Sequence, residues 1–110
     1  MNDKADKSSP TAAQALNTLS KEPLFLLGFI CATPAALDLL EHHGVKATTY
    51  LARHQYGDFG SLCAEDIEEN VFAVLYGTRI LSAYDIGTDR IYVITEADRS
   101  VTTMLLTCEY

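Results

Sequence analysis

The last third of this sequence, from Arg79 to Tyr110, leaves little freedom in what the chain can fold into. Three runs rich in β-branched and aromatic residues, 79–85, 90–96 and 101–106, are parted by Gly87-Thr88 and by Ala97-Asp98-Arg99-Ser100. That pattern predicts an antiparallel meander. Gly87-Thr88 suits a type II′ turn, with glycine at the position that needs positive φ. It pairs Asp85 with Arg90, Tyr84 with Ile91, Ser82 with Val93, Ile80 with Thr95 and Arg79 with Glu96. The second turn, centred on Asp98-Arg99, pairs Glu96 with Val101 and Thr95 with Thr102. One face then carries Ile80, Tyr84, Ile91, Val93, Met104 and Leu106, and is assigned to the helices. The other carries Arg79, Leu81, Ala83, Tyr92, Ile94, Glu96 and Thr103. With Leu105, this second face is more apolar than a solvated face needs, so it is expected to be covered. The cover would be the Thr11–Leu19 segment or a second copy in a homodimer.

Upstream, the apolar period changes. Leu24 to Cys31 is short and apolar on both faces, and predicts a buried strand. Thr33 and Pro34 then read as N-cap and first residue of a helix. Its stripe is Ala36, Leu39, Leu40 and His43, and Gly44 ends it. A second helix, 46–55, buries Tyr50, Leu51 and part of His54. A third, Ala64–Tyr76, gathers Glu65, Asp66, Glu68 and Glu69 near its positive end, with Ile67, Val71, Val74 and Leu75 inward. Residues 1–22 are expected to be a flexible tail with a short helix over Thr11–Leu19, and 23–110 a single domain. The expected fold is α+β: a four-stranded, mostly antiparallel sheet in the order β-α-α-α-β-β-β, with helices packed on one face.

Charge narrows the function classes. A net charge of −7 over 110 residues weighs against a protein that grips nucleic acid by its phosphates. Acidity is compatible with a basic protein partner, but solubility is the commonest reason for it. Cys31, Cys63 and Cys108 are odd in number and widely spaced, which fits reduced thiols and a cytoplasmic location. No apolar signal-peptide core follows Met1, and the run Leu24–Ala32 is too short to span a membrane. No phosphate-binding glycine loop or nucleophile elbow occurs, so no cofactor is expected. His42 and His43 are adjacent and point about 100° apart on a helix, so no shared metal site is expected.

Two clusters could carry chemistry. The block Arg53-His54 followed by Gly57-Asp58-Phe59-Gly60 could set a carboxylate and His54 beside a ligand, or form a helix end and a self-satisfied turn. Thr95, Glu96, Asp98, Arg99 and Ser100 on a hairpin tip offer two acids, a base and hydroxyls, or simply the groups a tight turn uses. If there is one site, it is expected where the Gly57–Gly60 loop meets Arg79, Glu96 and Arg99. His54 would be the proton-exchanging group there.

Several blocks carry a resemblance: Ala32-Thr33-Pro34-Ala35-Ala36-Leu37, Ala52-Arg53-His54, Gly57-Asp58-Phe59-Gly60, Glu65-Asp66, Arg79 to Tyr84, and Ile94 to Thr103. From Leu27 onward the chain resembles small proteins encoded on bacterial plasmids and integrative elements. That resemblance implies a mobile-element setting and brings no reaction. The expected function is an accessory protein that binds another protein, for example a host defence or DNA-processing factor, without catalysis. The alternative is a small nuclease, since the element order is similar to that of barnase-like toxin ribonucleases. Its available groups would be His54, Arg79, Glu96, Arg99 and Thr102.

Overall fold

The structure is a computed structural model that describes residues 22–110. Its elements are β1 (Phe29–Ala32), α1 (Pro34–His42), α2 (Ala47–Gln55), α3 (Ala64–Tyr76), β2 (Ile80–Ile86), β3 (Asp89–Thr95) and β4 (Val101–Leu106). A short 3-10 turn, Thr107–Glu109, follows. The sheet order is β1-β4-β3-β2, antiparallel at two junctions and parallel between β1 and β4. The fold is thus α+β. The Thr11–Leu19 helix lies outside the described residues.

The meander has the register its turns predict. Tyr84 sits opposite Ile91, and Thr95 opposite Thr102. Gly87 has φ 64°, while Thr88 is not among the positive-φ residues, which makes the first turn type II′. At the second tip, Arg99 N–H donates to the Glu96 carbonyl at 2.9 Å and Glu96 N–H to that of Val101 at 3.0 Å. The expected Arg79–Glu96 pair does not form. The β2–β3 ladder stops at Ile80–Thr95, and the Arg79 guanidinium donates to the Tyr110 hydroxyl.

The strand expected over Leu24–Cys31 is shorter and lies at an edge. Gly28 takes φ 68° and turns the chain, so only Phe29–Ala32 pairs with β4. Leu24 N–H bonds the Gln55 carbonyl at 2.9 Å, and the Phe25 carbonyl accepts from Gln55 Nε2 at 2.9 Å. Those bonds lay 24–27 across the end of α2. The strand is not buried: Phe29 is 73% exposed. Apolar residues on both faces mark a strand without revealing how many neighbours it has.

Each helix takes one strand: α1 packs on β4, α2 on β3 and α3 on β2. Thr33 Oγ1 accepts from Ala36 N–H at 3.1 Å, capping α1 as expected. Leu40 of α1 and Leu51 of α2 join Tyr84, Ile91, Val93 and Met104 in the main core. A second cluster unites Phe25, Phe59, Ala73 and Ile80. Leu75, expected inward, is 62% exposed. Val71 is inward as expected, and it is joined by Asn70 and Ala73, because this helix docks beside the edge of β2.

That edge is closed by the chain itself. Ala83 N–H donates to the Phe59 carbonyl at 3.1 Å, and Ser61 N–H to that of Ala83 at 2.7 Å. Asn70 serves both backbone groups of Leu81. On the second sheet face, Ile94 and Ala83 are buried, while Leu81, Tyr92 and Leu105 are half-buried. Tyr110 stands edge-on to Tyr92 at 5.4 Å, so the C-terminal turn contributes part of the expected cover. Among the described residues, no helix is long and apolar enough to cross a membrane.

Candidate functional site

Beneath α2 runs a chain of buried polar groups. His54 Nδ1 lies 2.6 Å from Ser82 Oγ, and Nε2 lies 2.9 Å from Thr95 Oγ1. Thr95 Oγ1 is 2.7 Å from Thr102 Oγ1, which donates to the Leu27 carbonyl at 2.6 Å. The direction of every bond follows from that last acceptor, since a carbonyl cannot donate. Thr102 gives its proton to Leu27, so it accepts from Thr95. Thr95 therefore accepts from His54 Nε2–H, and Nδ1 is left to accept from Ser82. His54, Ser82, Thr95 and Thr102 are all fully buried. Burial, and then the positive charge of Arg99, hold the imidazole pKa down to about 3. The ring is neutral at physiological pH and acts as a cross-brace between α2 and three strands. Phe25 covers it edge-on at 5.0 Å.

The remaining candidates divide between structural bonds and the surface. Asp58 pairs with Arg53, Oδ2 to Nε at 2.8 Å, and its Oδ1 accepts from Gly60 N–H at 3.2 Å. The Arg53 guanidinium also lies 4.7 Å over the Tyr84 ring, whose hydroxyl donates to the Asp58 carbonyl at 2.6 Å. Phe59 is 2% exposed and belongs to the second core cluster. Asp98 accepts from Ser100 N–H at 3.0 Å, and hydrogen bonding from the Ser100 side chain first, then from its backbone N–H, holds the Asp98 carboxyl below the usual range. Arg99 donates to the carbonyls of Ala73 and Thr78 at 2.8 and 2.6 Å, where a cation complements the C-terminal end of α3.

The expected convergence is therefore split. His54, Thr102 and Arg99 gather on the helix side of the sheet. Arg79 faces the other side and is bound to Tyr110, and among the described residues Glu96 pairs with no cation. The Gly57–Gly60 loop wraps the β2 edge, and its continuation, Ser61–Cys63, meets Arg79 in a groove.

That groove, of about 410 Å³, runs between the start of α3 and the second sheet face, lined by Cys63, Asp66, Glu69, Arg79, Arg90 and Tyr92 among others. It continues into an apolar depression of about 440 Å³ on α3, formed by Val71, Phe72, Leu75 and Tyr76 with Glu68 and Glu69. A third hollow, at Glu69, Phe72, Thr78 and Arg79, joins the two. Phe72, Leu75 and Tyr76 are 55%, 62% and 69% exposed, and the Phe72 and Tyr76 rings pack at 4.5 Å one turn apart. Every charged residue of α3 is acidic.

No protein-family model matches this chain, and no curated protein or solved structure matches it.

Sequence reasoning reached Arg79 but missed this surface, because Leu75 was placed inward with Val71. It also missed Ser82, Thr95 and Asn70 as interior polar groups. The signal for the first two was present: both occupy positions that the register assigns to the helix-facing side. Asn70 was marked by a polar residue of poor helix propensity within the inward stripe of α3.

Proposed function

We propose that this chain is a mobile-element accessory protein that acts by binding another protein, and that the partner docks on α3. The mobile-element setting rests on the sequence blocks from Ala32 to Thr103. The docking site rests on one observation: the exposed ridge of Phe72, Leu75 and Tyr76, continuous with the Arg79 groove and rimmed by acids. Exposed aromatic groups at the centre of a patch with a charged rim suit a protein interface. The partner surface complementary to it is apolar at its centre and lysine- or arginine-rich around it. His54, Asp58 and Arg99, the groups a nuclease reading would use or position, are committed to internal bonds, which weighs toward binding over catalysis.

The test pairs capture with substitution. A host protein retained by the wild-type chain should be lost by a Phe72→Ser, Tyr76→Ser variant whose thermal melt is unchanged, and its retention should weaken as salt rises. Cross-links from that protein should map to α3. RNA or DNA cleavage by the purified chain that disappears in His54→Gln would overturn this reading.

A further inference from the structure

The two edges of the sheet are treated differently. The β2 edge is closed by Asn70 and by the Phe59–Ser61 backbone, whereas among the described residues β1 has a sheet neighbour on one side alone. Exposed edges normally carry charge, proline or a bulge that discourages pairing. Here the opposite holds. From Pro23 to Leu37 no side chain is charged, and Leu26, Phe29, Ile30 and Leu37 are 72%, 73%, 48% and 50% exposed.

We infer that β1 pairs antiparallel with β1 of a second copy, joining two four-stranded sheets into one of eight strands. Charge selects the occupant. Two copies that each carry −7 repel over most of their surfaces, and the uncharged 23–37 run is a place where they can meet.

The backbone selects the register. Phe29 N–H donates to the Ser100 carbonyl at 2.9 Å and Thr33 N–H to that of Met104 at 3.0 Å, so the odd-numbered residues face β4. The N–H and C=O groups of Ile30 and Ala32 therefore face outward. Pairing Ile30 with Ala32 of the second copy, and the reverse, uses all of these groups. A register centred on Ile30 would need Gly28, which has left the strand at φ 68°. The favoured arrangement puts the two-fold axis at Cys31. Its two copies form a non-hydrogen-bonded pair with Cα atoms about 4.5 Å apart, within the range of about 4.4–6.8 Å that a disulfide bridges. Because α1 packs on β4, it leaves Ile30 and Leu37 available to meet their counterparts on the helix side. On the other face, the same register sets Phe29 opposite Thr33 of the second copy.

The dimer does not depend on the partner surface, since α3 flanks the opposite edge of the sheet. The test uses the full chain. Sedimentation should give a dimer at micromolar concentration that becomes a monomer in Phe29→Lys and in Leu26→Lys, both with the wild-type circular dichroism spectrum. In a Cys63→Ser, Cys108→Ser background, Cys31 is the one thiol left, and copper–phenanthroline oxidation should link two chains into a species that dithiothreitol separates. A chain that sediments as a monomer at every concentration, a dimer indifferent to both lysines, or a dimer that does not cross-link at Cys31 would overturn the inference.

Discussion

Asn70 occupies the place of a neighbouring strand for Leu81. Its Nδ2 donates to the Leu81 carbonyl at 2.7 Å, and its Oδ1 accepts from the Leu81 N–H at 3.1 Å. A primary amide has one donor side and one acceptor side in a plane, as a peptide group does, so it can complete an edge ladder. The relationship explains why α3 presents Asn70 and Ala73 inward and leaves Leu75 outside.

Asn70→Ala should therefore destabilise the protein by about 2–4 kcal/mol, because two backbone groups lose their partners together. Asn70→Asp should be no rescue, since a carboxylate cannot donate to the Leu81 carbonyl. Urea denaturation of both variants checks this. A loss below about 0.5 kcal/mol for Asn70→Ala, the range of ordinary surface substitutions, would remove the edge-closing role.

The buried imidazole sets a pH dependence. His54 has a pKa of about 3 when folded, against about 6.5 for a free histidine. Between those values the unfolded chain binds one proton more than the folded chain. Stability from this group is thus full above about pH 6.5 and declines as pH falls towards 3, by about 1.4 kcal/mol per unit. Asp85, Asp98 and Glu109, whose pKa values are also depressed, add losses in the same direction only in the acidic range of carboxylates. Denaturation at pH 7 and pH 5.5 should show the decline in the wild type, and His54→Gln should flatten it.

Gly28 is the hinge between the segment over α2 and β1. A Cβ there would lie 2.4 Å from the Arg99 carbonyl oxygen, and φ is 68°. The strained backbone alone costs about 1–2 kcal/mol for an L residue, and the steric conflict is with backbone that cannot rotate away. Gly28→Ala should lower the melting temperature and expose Phe25, which covers His54. A melt equal to that of the wild type would mean that this segment is not docked as described.

Leu40 and Leu75 offer a contrast within one residue type. Leu40 is 3% exposed in the main core, and Leu40→Ala should cost about 2–4 kcal/mol. Leu75 is 62% exposed, and Leu75→Ala should change stability by less than about 0.5 kcal/mol. Equal effects in thermal melts would contradict the docking of α3.

The candidate site was less legible in sequence than the fold. Asp58, Phe59, Asp98 and Arg99 were singled out by residue type, yet type does not reveal what is already bonded. Arg99 illustrates the difficulty: its target carbonyls, Ala73 and Thr78, lie more than twenty residues away in sequence. Arg79 was rightly placed on the second face, but its partner is Tyr110, brought back by a turn after β4.

By itself the sequence determined the local conformations. The type II′ turn at Gly87, the Thr33-Pro34 start of α1 and the alternation through 80–106 are settled by backbone sterics, capping and the period of two, which act over a few residues. Only the tertiary structure decided which polar groups were enclosed and which apolar ones were left outside. His54 became a buried brace because Ser82, Thr95 and Thr102 arrive from three strands to bond it or its neighbours. Leu75 stayed exposed because α3 docks through the Asn70 amide on a strand edge. Burial and hydrogen-bond partnership are properties of groups distant in sequence, and no local pattern carries them.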